Sequence, residues 1–232
     1  MSSYILVYNC FNMILSDIIF YLKGLSLKTK AVDKVFGDIY RQNGWGDKET
    51  VSGPGSNLVQ TKEISFRLPE IIRKYKINSL LDAPCGDYNW ISKVSLDIER
   101  YFGCDIVEDI VNKNIRQYGN NRIIFTKKNI IVDRLPKVDL ILCRDCLVHF
   151  SNNDIALTLL NFKKSGAKYL LTTTFVDRIH NSDIPTGRWR PINLQISPFN
   201  LPPPVILINE KCTEENSKFR DKCLGLWKMV DV

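Results

Sequence analysis

The sequence predicts an α/β fold: a mostly parallel seven-stranded sheet with helices on both faces and an antiparallel hairpin at one edge. Short apolar runs alternate with stretches of helical period along most of the chain, which is the pattern of β–α–β units. The run VDLILCR at 138–144 is almost continuously apolar, as in a strand buried on both faces. The last two apolar runs, VILINE and CLGLWKMV, have no helical crossover between them and therefore predict an antiparallel pair.

Each element has its own signal. Apolar, β-rich runs predict strands at residues 79–83, 101–104, 122–126, 138–144 and 168–175, ahead of the two hairpin strands. Helical period predicts helices over 60–75, from 106 onward, and from 152 to Gly166, the last one capped by Ser151 with Asp154 three residues later. Residues 40–57 are rich in Gly, Ser and Asn and predict a loop, and 177–204 carry six prolines and predict an irregular insertion.

Length and composition indicate one globular domain with a small addition. The chain has 232 residues, of which 44% are hydrophobic and 25% charged. We expect a helical extension at 1–35 and the main domain at 36–232. The net charge of +7 predicts a basic, solvated surface rather than an anionic partner. Because no long block of Lys and Arg is present, no nucleic-acid partner is expected.

The apolar start of the chain, YILVYNCFNMILSDIIFYL, raises the question of a membrane. Asn9, Asn12 and Asp17 interrupt this run, and no basic segment or cleavage site frames it as a signal peptide. We expect a helix that packs on the domain or lies on a membrane surface, and no transmembrane span.

Cysteine usage predicts a reducing compartment. The seven cysteines are an odd number, and with no signal peptide they indicate free thiols in the cytoplasm. Cys143 and Cys146 form a CxxC, but a zinc site needs a second such pair and none is present. We therefore expect packing cysteines and no metal site.

The stretch LLDAPCGDYNW carries the chemistry. If 79–83 is the first strand, then Asp82, Gly86 and Asp87 lie in the first strand-to-helix loop, where this class of sheet binds ligands. Carboxylates there suit a cationic ligand and not a pyrophosphate. Asp105 ends the second strand and could accept both hydroxyls of a ribose. A nucleoside with a positively charged tail, S-adenosylmethionine, fits both features. The alternative is that these acids only cap a helix and a turn.

Four stretches carry a resemblance to a known family: NGWG with SGPGSNLVQT, then LLDAPCGDYNW, then DLILCRDCLVHFS, then TTTF with TGRWRPINL and SPFNLPPP. Through them residues 36–228 resemble class I S-adenosylmethionine-dependent methyltransferases. Within that superfamily the chain looks like a group that includes sugar O-methyltransferases and occurs with glycan-building enzymes. The resemblance implies a Rossmann-like fold, this cofactor, and a sugar or glycan acceptor.

The resemblance also implies cofactor-binding roles for particular residues. Asp82 and Gly86 match the first cofactor motif, with Asp87 and Trp90 beside it. The ribose and adenine would be held by Asp105 and Ile106, and by Asn129 and Ile130, where the family usually has an acid before the adenine contact. Arg144 would lie over the methyl group, and the loop SGPGSNLVQT would close over the methionine part with Gln60 near its carboxylate.

Methyl transfer to a hydroxyl needs a general base, since a neutral hydroxyl is a poor nucleophile. His149 follows the fourth strand, where the acceptor should approach, and Asp145 could act as base, orient His149 or hold the acceptor. Alternatively, His149 packs under Phe150. A divalent metal held by these two side chains would lack a third ligand.

The insertion should overhang the acceptor. Trp189 could stack on a sugar, while Arg190, Asn181 and Asn193 offer hydrogen-bond donors. Trp189 could equally be a core residue of the insertion, and Trp45 raises the same two interpretations.

Other functions remain open on the sequence alone. The acceptor could be another small metabolite or RNA, or the chain could be a non-catalytic module that binds the cofactor. An NAD-linked oxidoreductase is disfavoured because the first loop lacks GxGxxG and carries acids.

Overall fold

The computed structural model describes residues 32–232. Most of the predicted extension at 1–35, including the apolar start and its predicted membrane-surface contact, lies outside the described residues. Residues 32–41 form a helix, α1, whose Val32 and Phe36 are buried in the core of the domain. The domain boundary predicted after residue 35 therefore falls inside a helix. Within 32–232, no helix has the length and apolar content needed to cross a membrane.

The sheet is the one that the sequence predicts. Its seven strands lie in the order β3-β2-β1-β4-β5-β7-β6. β1 to β5 are parallel to one another, and β7 pairs antiparallel with β5 and with the edge strand β6. The bounds are β1 Ser79–Asp82, β2 Arg100–Asp105, β3 Ile123–Lys127, β4 Leu140–Cys143, β5 Tyr169–Phe175, β6 Ile206–Asn209 and β7 Lys222–Lys228.

Both faces of the sheet are covered by helices, as the continuous apolar runs require. Because strand side chains alternate, Ile141 and Cys143 of β4 pack in one hydrophobic core while Leu140 and Leu142 pack in the other. The first core includes apolar residues of α1 and of the helix at Asn152–Lys164, and the second includes those of the helix at Lys62–Tyr75. The further helices are α2 Lys62–Tyr75, α3 Glu108–Tyr118, α4 Asn152–Lys164 and the short α5 Glu214–Ser217.

Local signals set the start of α4 and the course of the insertion. Ser151 Oγ accepts a hydrogen bond from Asp154 N at 3.1 Å, which confirms the predicted N-cap. The insertion between β5 and β6 has no helix, and it is held by contacts at its centre. Phe175 N donates to Ile192 O at 2.7 Å, and both Ile192 and Leu194 are fully buried.

Two glycine substitutions should have opposite effects on stability. A Cβ at Gly225 of β7 would collide with the Trp227 ring, so we expect Gly225→Ala to cost about 1–3 kcal/mol by overpacking. Gly37 lies in α1, and a Cβ there would approach only the flexible end of Arg41, so we expect Gly37→Ala to gain up to about 1 kcal/mol. Urea unfolding at constant slope measures both changes. Equal stability of the two variants would contradict the packing described.

Candidate active site

A cavity opens at the carboxyl ends of β1, β2 and β4, where the fold class places its ligands. The space between its walls, mouth included, is about 1010 Å³. Eleven of the predicted site residues line it: Asp82, Gly86, Asp87, Trp90, Asp105, Ile106, Asn129, Ile130, Arg144, Asp145 and His149. The lining carries four carboxylates against the two cations Lys128 and Arg144, so the cavity favours a positively charged ligand.

Two buried carboxyl groups lie at the strand ends. Asp82 Oδ2 accepts a hydrogen bond from the Tyr101 hydroxyl at 2.6 Å, and burial raises the pKa of Asp82 to about 7. The two oxygens of Asp105 accept from Val107 N at 2.9 Å and from Gly86 N at 3.2 Å. Burial raises the pKa of Asp105 to about 6 in spite of these bonds. A cation or hydroxyl donors in the cavity would stabilise the ionised form of both groups.

Asp87 anchors the glycine-rich loop that precedes α2. Its carboxylate accepts hydrogen bonds from Thr50 Oγ1 at 2.9 Å, Val51 N at 3.1 Å and Ser52 Oγ at 3.3 Å. Gly86 has a φ of 51°, and a Cβ there would collide with Ser52 Oγ. Glycine at position 86 therefore permits the loop to pack against the turn that follows β1.

Two buried donors in the cavity wall have no hydrogen-bond partner. Asn129 Oδ1 accepts from Ile131 N at 3.0 Å, which leaves the buried Nδ2 free as a donor. Arg144 Nη2 is also buried and without a partner, and the Cζ of this guanidinium lies 5.9 Å from the centroid of the Trp90 ring. A buried donor left without a partner is costly, so a ligand with acceptors at both places would be stabilised.

An ionic network surrounds Asp145. Lys222 Nζ donates to Asp145 Oδ2 at 2.6 Å, and Arg144 pairs with the same oxygen at 3.2 Å and with Glu210 at 2.6 Å. Burial by itself would raise the pKa of Asp145, but the two cations lower it below its ordinary value. Asp145 therefore stays ionised and is a poor proton acceptor, which disfavours its predicted role as general base.

His149 has the geometry of a base. It ends the 3₁₀ turn Leu147–His149, and its Nδ1 lies 3.1 Å from the Arg188 carbonyl oxygen. Since a carbonyl only accepts, Nδ1 carries the proton and Nε2 keeps its lone pair. Burial lowers the pKa of His149, and the nearby Asp145 offsets this only in part. The imidazole is therefore neutral at pH 7.

None of the described residues of the insertion lines the cavity, but its Arg188 carbonyl oxygen lies 3.1 Å from Nδ1 of the lining residue His149. Arg190 donates to the carbonyls of Leu147 and Val148 at 3.1 and 3.0 Å. Asn181 Nδ2 donates to Asn193 O at 2.9 Å, and Asn193 N returns a bond to Asn181 Oδ1 at 2.8 Å. The donors expected to bind the acceptor are thus occupied by the backbone of the chain itself.

Two more predicted residues lie apart from the cavity, whereas two aromatic residues that were not assigned to the site line it. Trp189 packs edge-on against Phe219 at 4.9 Å and is 43% exposed. Gln60 Nε2 donates to Thr213 Oγ1 at 2.7 Å and is not in the lining. Phe36 and Trp45 line the cavity instead. A tryptophan in a glycine-rich loop is a sequence feature that could have identified Trp45 as a cavity residue. Phe36 has no such feature beyond its helical spacing.

Comparison with known proteins supports the fold. No family model and no curated protein matches the chain. The N-methyltransferase NodS from Bradyrhizobium japonicum WM9, solved with S-adenosyl-L-homocysteine, superimposes with a TM-score of 0.56. The identity is 14%, over 82% of this chain and 97% of NodS.

The fold is that of NodS. A second structure of the same enzyme agrees, with a TM-score of 0.54 and 12% identity over 75% of this chain and 98% of that one. The methyltransferase domain of bacterial CtHen1 aligns at a TM-score of 0.44 and 14% identity. That alignment covers 51% of this chain and 66% of the CtHen1 domain, just under two thirds.

Within 32–232, no group of three or more His, Cys, Asp or Glu side chains could hold a metal ion. Cys143 and Cys146 are buried free thiols.

We expect Lys222→Met to destabilise the protein by about 3–5 kcal/mol, because it leaves Asp145 and Glu210 buried with too little positive charge. The control is Lys211→Met. Lys211 is 75% exposed in its pair with Glu63, so its loss should cost less than about 1 kcal/mol. The free energy of unfolding in urea measures both. If Lys222→Met lowers the free energy of unfolding as little as the control does, Lys222 is not needed to neutralise the buried carboxylates.

Proposed function

We propose that the protein is a cytoplasmic class I methyltransferase that transfers a methyl group from S-adenosylmethionine to a hydroxyl of a sugar in a glycan or glycan precursor. The carrying observation is the negatively charged cavity in which Asp105 and Gly86 meet at the ends of β2 and β1. The fold shared with NodS, an enzyme solved with the demethylated cofactor, supports the same proposal. The buried free thiols suit a reducing compartment.

The residues in the cavity fit this cofactor. Asp105 keeps lone pairs for the two ribose hydroxyls, and the excess of carboxylates suits a sulfonium. The free Nδ2 of Asn129 would donate to a ring nitrogen of adenine. The free Nη2 of Arg144 would donate to the carboxylate of the methionine part.

The bound cofactor would supply an electrophilic methyl group. His149 Nε2 would accept the proton of the acceptor hydroxyl as the new bond forms. The Arg188 carbonyl holds the Nδ1 proton and stabilises the imidazolium that results. Asp145, kept ionised by Lys222 and Arg144, adds a favourable charge interaction with that imidazolium. In this scheme Asp145 assists the base and does not take the proton.

Asp105→Ala should weaken cofactor binding at least about 100-fold, because two charge-assisted hydrogen bonds to the ribose are lost. Isothermal titration with S-adenosylmethionine measures the change. Asp109→Ala is the control, since Asp109 is an exposed acid on α3 and its loss should leave Kd unchanged. Near-wild-type affinity of Asp105→Ala would show that the ribose is held elsewhere.

His149→Ala should keep the affinity for the cofactor and lower kcat by about 10²–10⁴. Because the pKa of His149 is lowered, the acid limb of wild-type kcat should have its midpoint below pH 6.5 and be absent from the variant. His180→Ala, at an exposed position of the insertion, is the control and should keep full activity. A turnover within tenfold of wild type in His149→Ala would remove this residue as the base.

The acceptor class is tested by methyl transfer from labelled S-adenosylmethionine to free sugars, nucleotide sugars, rhamnose- or fucose-containing oligosaccharides, and RNA. We expect label on a sugar hydroxyl. Label only on RNA or on another metabolite would replace the acceptor in this proposal. Absence of cofactor binding would overturn the proposal as a whole.

A further inference from the structure

The wall of the cavity beside His149 is a row of aromatic rings. The Trp45 and His149 ring centroids are 5.7 Å apart, and Phe36 lies 6.4 Å from Trp45 and 6.0 Å from Phe150. All four side chains line the cavity. Phe36 and Phe150 are buried, whereas Trp45 is half-buried and keeps part of its indole accessible.

Trp45 is held firmly in this place. A Cβ at Gly53 would lie 3.0 Å from the Trp45 Cβ, so only glycine lets the loop pack this closely. Gly53 also has a φ of 88°, which L side chains rarely adopt. The loop is fastened in turn by Thr50 and Val51 to Asp87. These contacts fix the position of Trp45 in the cavity wall.

The charges near this wall disfavour an anionic acceptor. Arg144 and Lys222 are paired with Glu210 and Asp145, and the Arg190 guanidinium donates to backbone carbonyls. A phosphate or carboxylate on the acceptor ring would meet the ionised Asp145. Of the two cations in the lining, Arg144 is paired with Asp145 and Glu210, and Lys128 directly precedes Asn129 after the end of β3. An uncharged ring avoids this repulsion.

We propose that Trp45, backed by Phe36, is the platform on which an uncharged, hydroxylated ring of the acceptor stacks, with one hydroxyl directed to His149 Nε2. The electron-rich indole face attracts the C–H groups of such a ring, and the hydroxyls remain at its edge. This inference rests on the proposed function and assigns the acceptor subsite to α1 and the loop after it. The insertion, where Trp189 packs on Phe219, has no part in stacking.

Binding of the ring is tested without turnover. Saturation-transfer NMR is recorded on the full chain with S-adenosylhomocysteine and a panel of methyl glycosides, among them methyl rhamnoside, methyl fucoside and methyl glucoside. We expect a signal on ring protons with wild type and with Trp189→Ala, a weaker one with Trp45→Phe, and at least a tenfold loss with Trp45→Ala. Glucose 1-phosphate should bind more weakly than methyl glucoside.

The outcomes separate this inference from the proposed function. If S-adenosylhomocysteine binds every variant with wild-type affinity and Trp45→Ala keeps the sugar signal, the platform is elsewhere and the proposed function stands. Loss of signal in Trp189→Ala instead would return the subsite to the insertion. If no neutral glycoside binds wild type, or if glucose 1-phosphate binds better than methyl glucoside, the inference that the acceptor ring is uncharged is wrong. Failure of S-adenosylhomocysteine to bind would overturn the proposed function first.

Discussion

The buried charge network at the end of β4 is the constraint on which the site depends. Arg144 and Asp145 leave the strand side by side, and Glu210 and Lys222 from the hairpin neutralise them. Each of these charges would be costly alone in the interior, and pairing offsets that cost. Gly55 packs directly against the network, because a Cβ at this position would lie 2.9 Å from Asp145 Oδ2. The cavity wall, its loop and the sheet edge therefore form one unit.

This network also determines which residue can accept a proton. Asp145 lies between two cations and is held ionised, so the neutral His149 is the candidate base at this end of the cavity. The insertion contributes to the base through its backbone. The Arg188 carbonyl selects the tautomer, and Gly187 N donates to His149 O at 2.8 Å. A segment expected to recognise the acceptor instead holds the histidine that would act on it.

The sheet and the position of the cavity could be predicted because the sequence marks the ends of the strands. Asp82 and Asp105 follow apolar runs, and parallel topology brings such ends to one edge. The insertion could not be predicted in this way. Residue type shows that Arg190 and Asn193 can donate hydrogen bonds, but only the folded chain shows that backbone carbonyls accept them. Likewise, Gln60 meets Thr213 across 153 residues of sequence.

The distance along the chain between the partners of the network has a consequence for synthesis. Glu210 follows Arg144 by 66 residues, and Lys222 follows Asp145 by 77. A growing chain that has completed β5 already holds Asp82 and Asp105, yet its β4 end still carries charges that need water. Water can be excluded from that end of the cavity only after the hairpin has left the ribosome and β7 has inserted between β5 and β6. Ribosome-bound chains therefore contain Asp82 and Asp105 before the charges around Asp145 can be neutralised.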